Sequence, residues 1–194
     1  MTETKQNILS NAKSLFAKGG YEAVSARKLA EASDTGISSV YHFFSDKDAV
    51  LHELFHSVGS DLGQKRSLLP DTETASDMLW QRIRFQFDNI EDVVFVLKYY
   101  MHFRNRFKKT DSGFIPARAY QHIQEALARG VEAGEFEIDV SEIEQQAKML
   151  THATNGFLLE FYPLTPENDE LDSLVSSIHQ FLMRGLTLKE AAMK

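Results

Sequence analysis

The sequence predicts an all-α protein, with a head of short helices in residues 1–48 and a body of long helices in residues 49–194. Three observations carry this expectation. Apolar residues recur at three- and four-residue spacing, the period of one helix face. No stretch sustains the apolar–polar alternation of a half-buried strand. The 4 prolines and 10 glycines gather between the periodic segments, where they end helices.

The first helix carries Ile8, Leu9, Ala12, Leu15 and Phe16 as one stripe and ends at Gly19-Gly20. Ser25 is placed to cap a short second helix through Leu29 and Ala30. Asp34-Thr35-Gly36 breaks that helix. A third follows from Ile37 to Phe43, too short to persist without tertiary packing. Ser45-Asp46 caps a fourth, with Asp48 near its positive end and a stripe of Val50, Leu51, Leu54, Phe55, Val58 and Leu62.

A break around Lys65 to Thr74 holds Pro70, and the helices then lengthen. The periodicity predicts helices over about Thr74–Asn89 and Glu91–Lys108. Asp111-Ser112-Gly113 separates them from a third, Ile115–Ala133, with Pro116 in its first turn. Ser141 and Glu144 form a capping-box pattern ahead of a helix that stops at Pro163. Asn168 or Asp169 opens the last, which runs to about Leu186.

Composition narrows the function. Hydrophobic residues make up 43% of the 194 and charged residues 25%, enough apolar material for a core and too little charge for a disordered chain. There is no cysteine, which removes disulfides, thiolate metal sites and cysteine nucleophiles. No run approaches the roughly 20 apolar residues of a membrane helix, and the N-terminus lacks a signal-peptide core. The expectation is a soluble cytoplasmic protein. The net charge of −7 lies entirely in the body. Residues 1–66 hold eight Lys/Arg and eight Asp/Glu, so a neutral head can still present a basic face.

Two short helices around a tight turn, held between longer apolar-striped helices, form a helix-turn-helix arrangement. Its second short helix can enter a DNA major groove while neighbours grip phosphates. Ser38, Ser39, Tyr41 and His42 give that helix hydroxyls and polar-tipped rings, and Arg27 and Lys28 lie on the helix before it.

In order and spacing, Ile8 to Leu51 resembles the N-terminal domain of TetR-family regulators. The matching residues are Ile8, Leu9, Ala12, Leu15, Phe16, Gly20-Tyr21, Ser25, Leu29-Ala30, Ser39-Val40-Tyr41-His42-Phe43-Phe44, Lys47 and Val50-Leu51. The resemblance implies that Ser25 and Lys47 hold phosphates, that Ser39 and Tyr41 contact DNA, and that Phe44 is core. It also implies a double-stranded DNA operator, a small-molecule effector and a homodimer. The turn departs from the family's pattern: Asp34 stands where a glycine with positive φ is usual, and Thr35 where an apolar plug is usual. Aspartate adopts that conformation at some cost. Ile37, at a commonly polar position, can meet a thymine methyl or simply pack.

The body resembles the family only in layout. The Gly130 to Phe136 loop and Asn155-Gly156 are similar. The resemblance implies that the last two helices pair with those of a mate. Leu150, Phe157, Phe161, Leu174, Ile178 and Leu182 are the expected dimerisation residues, with Ala153, Gly156 and Gly185 small enough for close approach. The alternative is that these stripes pack inward. An aromatic run supplies the expected ligand site: Trp80, Phe85, Phe95, Tyr99, His102 and Phe103, with Phe157 and the polar groups of Tyr100 and Gln86. Phe87 and Phe107 lie in the same run. Such a stripe at helical spacing can equally be core. The basic run Arg104, Arg106, Lys108 and Lys109 reads as a solvated helix end, or as a site for an anionic ligand group.

No dinucleotide, Walker, zinc-protease or nucleophile-elbow motif occurs, so the chain is not expected to be an enzyme, and neither cofactor nor metal is implied. His52 and His56 lie one helical turn apart without a further ligand in pattern. The function expected is a ligand-responsive DNA-binding transcriptional regulator, a repressor released from its operator by a small apolar or aromatic ligand. Two alternatives stand beside it: a small-molecule-binding helical module with a degenerate head, and a small helical enzyme.

Overall fold

The computed structural model describes residues 2–106, 115–164 and 166–187. Among them are nine α-helices and no strand: α1 Glu3–Gly19, α2 Ala26–Ala32, α3 Ile37–Phe43, α4 Lys47–Ser67, α5 Ala75–Asp88, α6 Ile90–Phe103, α7 Ile115–Glu132, α8 Ile143–Phe161 and α9 Asn168–Thr187. Phe107, Lys108, Lys109 and the Asp111-Ser112-Gly113 break lie outside the described residues. No described helix is long and apolar enough to cross a membrane.

The helix ends follow from local chemistry. Gly20 ends α1 at φ 71° while its N–H donates to the Phe16 carbonyl at 2.7 Å. Ser25 caps α2, its hydroxyl accepting the Lys28 N–H at 3.2 Å. Asp46 caps α4 by accepting the Ala49 N–H at 2.8 Å. One predicted cap moves. Ser141 does not open α8; residues Val140–Glu142 form a 3-10 turn in which Asp139 accepts the Ser141 N–H at 2.7 Å, and α8 begins at Ile143. Aspartate's free carboxylate takes the amide, so Ser141 is the donor rather than the cap.

The chain divides into two compact units. The first comprises Met1–Leu69 and Asn89–Arg106, the second Pro70–Asp88 and Phe107–Lys194. The first is larger than the 1–48 head read from sequence, because it includes all of α4 and takes in α6. That helix packs on α1 and α4, with Val94 and Phe95 fully buried and Val93 and Val96 nearly so. Polar contacts add to the apolar seam. Lys13 pairs with Asp92 at 2.6 Å, and the Ser14 hydroxyl donates to Glu91. Lys98 donates to the carbonyls of Ala17 and Lys18 at the end of α1, where a cation also suits the helix dipole.

The second unit packs α5 on α7 and α9, and α7 on α8. Its core holds Ala75, Leu79, Ile123, Ala126, Leu127, Phe136, Ala147, Leu150 and Leu186. The start of α5 is capped twice. Thr74 accepts the Asp77 N–H at 3.0 Å, and the Glu135 carboxylate accepts the amides of Ala75 and Ser76 at 3.0 and 3.2 Å. These bonds satisfy amides that have no partner within the helix.

Candidate nucleic-acid interface

In the first unit, α2 and α3 pack on each other and on α1, with Leu29, Ala30, Val40 and Phe44 inside. Phe44 is therefore core, as the resemblance implies. The turn between α2 and α3 is fixed from α1. The Asn7 side-chain amide donates to the Ser33 carbonyl at 2.9 Å, and that of Asn11 to the Ser33 hydroxyl at 3.3 Å. Asp34 adopts φ 48°, the left-handed conformation expected of it, and Thr35 closes the turn through its N–H to the Ala30 carbonyl at 2.9 Å.

This packing turns one face of α3 to solvent. Ile37 is 46% and Tyr41 59% exposed; Ser38 and His42 are exposed and Ser39 is half-buried. Beside that face lies a concavity of about 360 Å³, formed by the starts of α2 and α4 and by α3. Ser25, Tyr41 and Lys47 all line it, together with the apolar Phe44 and Val50 and the acidic Asp46. The cap of α2, a residue of α3 and the first residue of α4 thus share one groove.

The cations are not equivalent. Arg27 is exposed and paired with Glu31 at 2.9 Å; the hydrogen bond and charge of that carboxylate raise its pKa further. Lys28 is exposed. Lys47 is half-buried and held by Tyr21, with its ammonium 3.6 Å from the ring centroid and 3.4 Å from the Tyr21 carbonyl. Tyr21 also donates its hydroxyl to Asp48 at 2.6 Å.

Among the described residues, the aromatic run is divided between the two units. Phe95, Tyr99 and Phe103 belong to the core of the first unit. Tyr99 stacks on Phe55 at 4.1 Å and packs on Phe103 at 4.6 Å, and Phe16 meets Phe95 edge-on at 5.3 Å. His52 is hydrogen-bonded through Nδ1 to the Tyr99 hydroxyl, so its ring is engaged within this cluster. His102 is exposed and stacked on Tyr21. Trp80, Phe85 and Phe157 lie in the second unit: the Trp80 indole donates to Ser176 at 3.3 Å, Phe85 is buried and Phe157 is half-buried.

The second unit has its own small cavity, about 20 Å³, lined chiefly by α5, α8 and α9. Leu79, Ile83, Leu150 and Leu182 make it apolar, and Arg82, Gln86, Thr154 and His179 bring polar atoms to it. Of these, only Gln86 was expected at a ligand site. Arg82 was legible as a charge between Leu79 and Ile83 on a core-facing stripe, a position that burial makes costly. Arg82 is 8% exposed. Burial also pushes His179 below its usual pKa, against smaller opposing effects of the Ser76 carbonyl and Asp77.

The expected dimerisation residues divide. Leu150 and Ile178 are turned into the core of their own unit, where the helical period places them opposite solvent. Phe161 packs edge-on to Phe87 at 6.3 Å. Leu174 and Leu182, like Phe157, are half-buried. The apolar side chains left exposed on α8 and α9 are Met149, Leu159 and Phe181.

The family model described as "Bacterial regulatory proteins, tetR family" matches residues 8–54, the span that builds this groove. Over this span the chain is similar to TetR-family regulators. The HTH-type transcriptional repressor AcnR of Corynebacterium glutamicum is 24% identical over 81% of both chains. The HTH-type transcriptional repressor KstR of Mycolicibacterium smegmatis is 29% identical, but over 43% of this chain and 39% of its own. The fold extends beyond the TetR-family head. The ketosteroid regulator KstR2 of Mycobacterium tuberculosis superposes with a TM-score of 0.73 over 97% of each chain at 16% identity. The fatty acid degradation regulator FadR of Bacillus halodurans gives 0.68 over 97% of this chain and 99% of its own at 21%. These relatives are named as regulators of transcription or of degradation pathways.

Proposed function

We propose that this protein is a TetR-family transcriptional repressor that binds a DNA operator as a homodimer and releases it when a small, largely apolar ligand enters the second unit. The observation that carries the DNA reading is the groove shared by Ser25, Tyr41 and Lys47 beside the exposed face of α3. Its layout suits a helix laid in the major groove with flanking phosphate contacts. In this reading Ile37, Ser38, Ser39, Tyr41 and His42 face base edges or phosphates, and Ser25, Lys28 and Lys47 hold the backbone. Arg27 joins them only by leaving Glu31.

A helix-turn-helix needs two copies to span successive major grooves. Met149, Leu159 and Phe181 give α8 and α9 an apolar surface for a mate, with Gly156 and Gly185 exposed on the same two helices. The effector reading is supported by the mixed lining of the second unit's cavity and by a solved relative, Bacillus subtilis FadR in complex with stearoyl-CoA (TM-score 0.62 over 93% of this chain and 98% of its own, 18% identity). A cavity of about 20 Å³ has room for a water-sized group, so a ligand must part the helices that line it. Ligand binding and operator binding then favour different conformations and weaken each other by the same factor.

The test is selection of genomic fragments by the purified protein, followed by salt-titrated binding to the recovered duplex. A palindrome bound by a dimer with a steep salt slope is the expected result. No enrichment at low salt, with Tyr41→Ala indistinguishable from wild type, would instead mark a ligand-binding module whose head has lost DNA. Asp46, which lines the groove, and the exposed Glu31 and Asp34 of the same unit are what would favour that outcome.

A further inference from the structure

Tyr21 lies in the 3-10 turn between α1 and α2, and four parts of it are in use. Its ring carries the Lys47 ammonium at 3.6 Å. Its carbonyl accepts from the same ammonium at 3.4 Å. Its hydroxyl donates to Asp48, the next residue of α4, at 2.6 Å. Its ring also stacks on His102, near the end of α6, with centroids 3.9 Å apart and planes 14° from parallel. An imidazole and an ammonium cannot both stand that close on one side of a ring, so they occupy opposite faces. Phe103 closes one edge of the ring at 5.9 Å.

We propose that Tyr21 is a positioning residue for DNA binding: it holds the Lys47 ammonium ready for a phosphate, with His102 as the backing that fixes the ring. This rests on the reading of Lys47 as a phosphate contact. A lysine free in solvent must give up the freedom of a four-carbon stem when it binds, and this cost subtracts from affinity. Seated on the ring, much of that cost is already met in the unbound protein. The seat leaves the charge usable: an ammonium has three donors, the Tyr21 carbonyl takes one, and the ring face attracts the cation without taking a directed hydrogen bond. The Asp48 contact holds the first turn of α4 to the same ring, so the ammonium and the helix that carries it are fixed together.

A plain packing role for Tyr21 makes a different prediction. Packing stabilises the whole head and acts whether or not Lys47 is present. Positioning acts only through Lys47. The arrangement also gives α6 a route to the groove, because any movement of His102 alters the support of the ring beneath Lys47.

The experiment is a double-mutant cycle on the full chain. Wild type, Tyr21→Leu, Lys47→Ala and the double variant are titrated with the duplex recovered by genomic selection and with a random-sequence duplex at low salt. Melting temperatures are recorded alongside. Lys47→Ala should weaken both duplexes and flatten the salt slope by roughly one unit. Tyr21→Leu should weaken binding about fivefold, the scale of one cation–π contact, and Tyr21→Phe, which keeps the ring, should restore most of that loss. In the Lys47→Ala background Tyr21→Leu should change nothing. An equal loss in both backgrounds overturns the proposal in favour of packing, and so does no loss in either. If Lys47→Ala leaves affinity and slope unchanged, the phosphate reading of Lys47 fails and the proposal fails with it. Should Tyr21→Leu not fold, His102→Ala, at an exposed position, takes its place in the cycle, with a smaller loss of about twofold that again vanishes without Lys47.

Discussion

The Asn7 side chain donates to the backbone carbonyl of Ser33 at 2.9 Å, so α1 sets the turn that orients α3. Ser33 is 5% exposed, and its carbonyl has little water to turn to if Asn7 is lost. Asn7→Ala should therefore cost about 1 kcal/mol and lower the melting temperature by about 2–4 °C. Because the turn aims the exposed face of α3, operator affinity should fall in the same variant. Unchanged urea and thermal midpoints would show that the turn is held by its own backbone bonds.

Asp34 separates backbone from charge. Its φ of 48° costs a residue with a Cβ roughly 1 kcal/mol, and aspartate offsets part of this by local hydrogen bonding. Glycine removes the strain but adds a similar amount of freedom to the unfolded chain. Asp34→Gly should leave stability within about 0.5 kcal/mol of wild type, and Asp34→Ala should lower it by about 1 kcal/mol. Both remove a carboxylate from the proposed DNA side, so both should raise DNA affinity at low salt by a similar factor. Urea midpoints and binding titrations distinguish the two effects. Equal destabilisation by glycine and alanine would mean that the carboxylate, not the backbone, matters in the turn.

The head was legible in the sequence because its signals are local. Ser25 and Asp46 each cap the helix that begins beside them, Gly20 ends α1, and the apolar period marks Ile8, Phe16, Val50 and Leu51 as core. The second unit was less legible because a helical stripe records that a face is buried, not what buries it. Phe95, Tyr99 and Phe103 have the spacing of a pocket wall, yet they pack on α1 and α4, a pairing that depends on contacts across some eighty residues of chain, as between Lys13 and Asp92. Leu150 and Ile178 carry the same ambiguity, because inward packing and a dimer seam share one period. The role of Asn7 had no sequence signal, since one asparagine on the polar side of a helix is ordinary.

Gly130 tests the packing of the second unit. A Cβ built there would lie 2.1 Å from the ring of Phe136 and 3.0 Å from the Cβ of Ala75. Phe136 is 4% exposed, and its backbone is tied to the same residue, its N–H donating to the Gly130 carbonyl at 3.1 Å. The ring cannot swing clear without leaving the core. Gly130→Ala should destabilise by about 1–3 kcal/mol, as overpacked cores do, despite alanine's better helix propensity. Gly130→Ala with Phe136→Leu should recover part of that loss. If the single variant unfolds at the wild-type urea concentration, the close approach of α7 to the ring is not what makes glycine necessary.

His179 gives the second unit a pH dependence with a definite sign. Its Nε2 lies 3.0 Å from the Ser76 carbonyl, and burial, the largest influence on it, lowers its pKa. An unfolded histidine titrates near 6.5, so between that value and the lower folded one the unfolded chain binds more protons. Stability therefore falls as the pH drops below about 6.5, and the loss ends once the pH is under the folded value. His179→Gln keeps an amide donor for the Ser76 carbonyl but cannot take up a proton. Its stability should decline less than that of the wild type over this window. The difference between the two urea-midpoint curves isolates His179, because the carboxylates held low by their neighbours, Asp139 and Glu144, titrate identically in both proteins. Parallel curves from about pH 7.5 to 5 would mean that His179 is as easily protonated in the folded protein as in the unfolded chain.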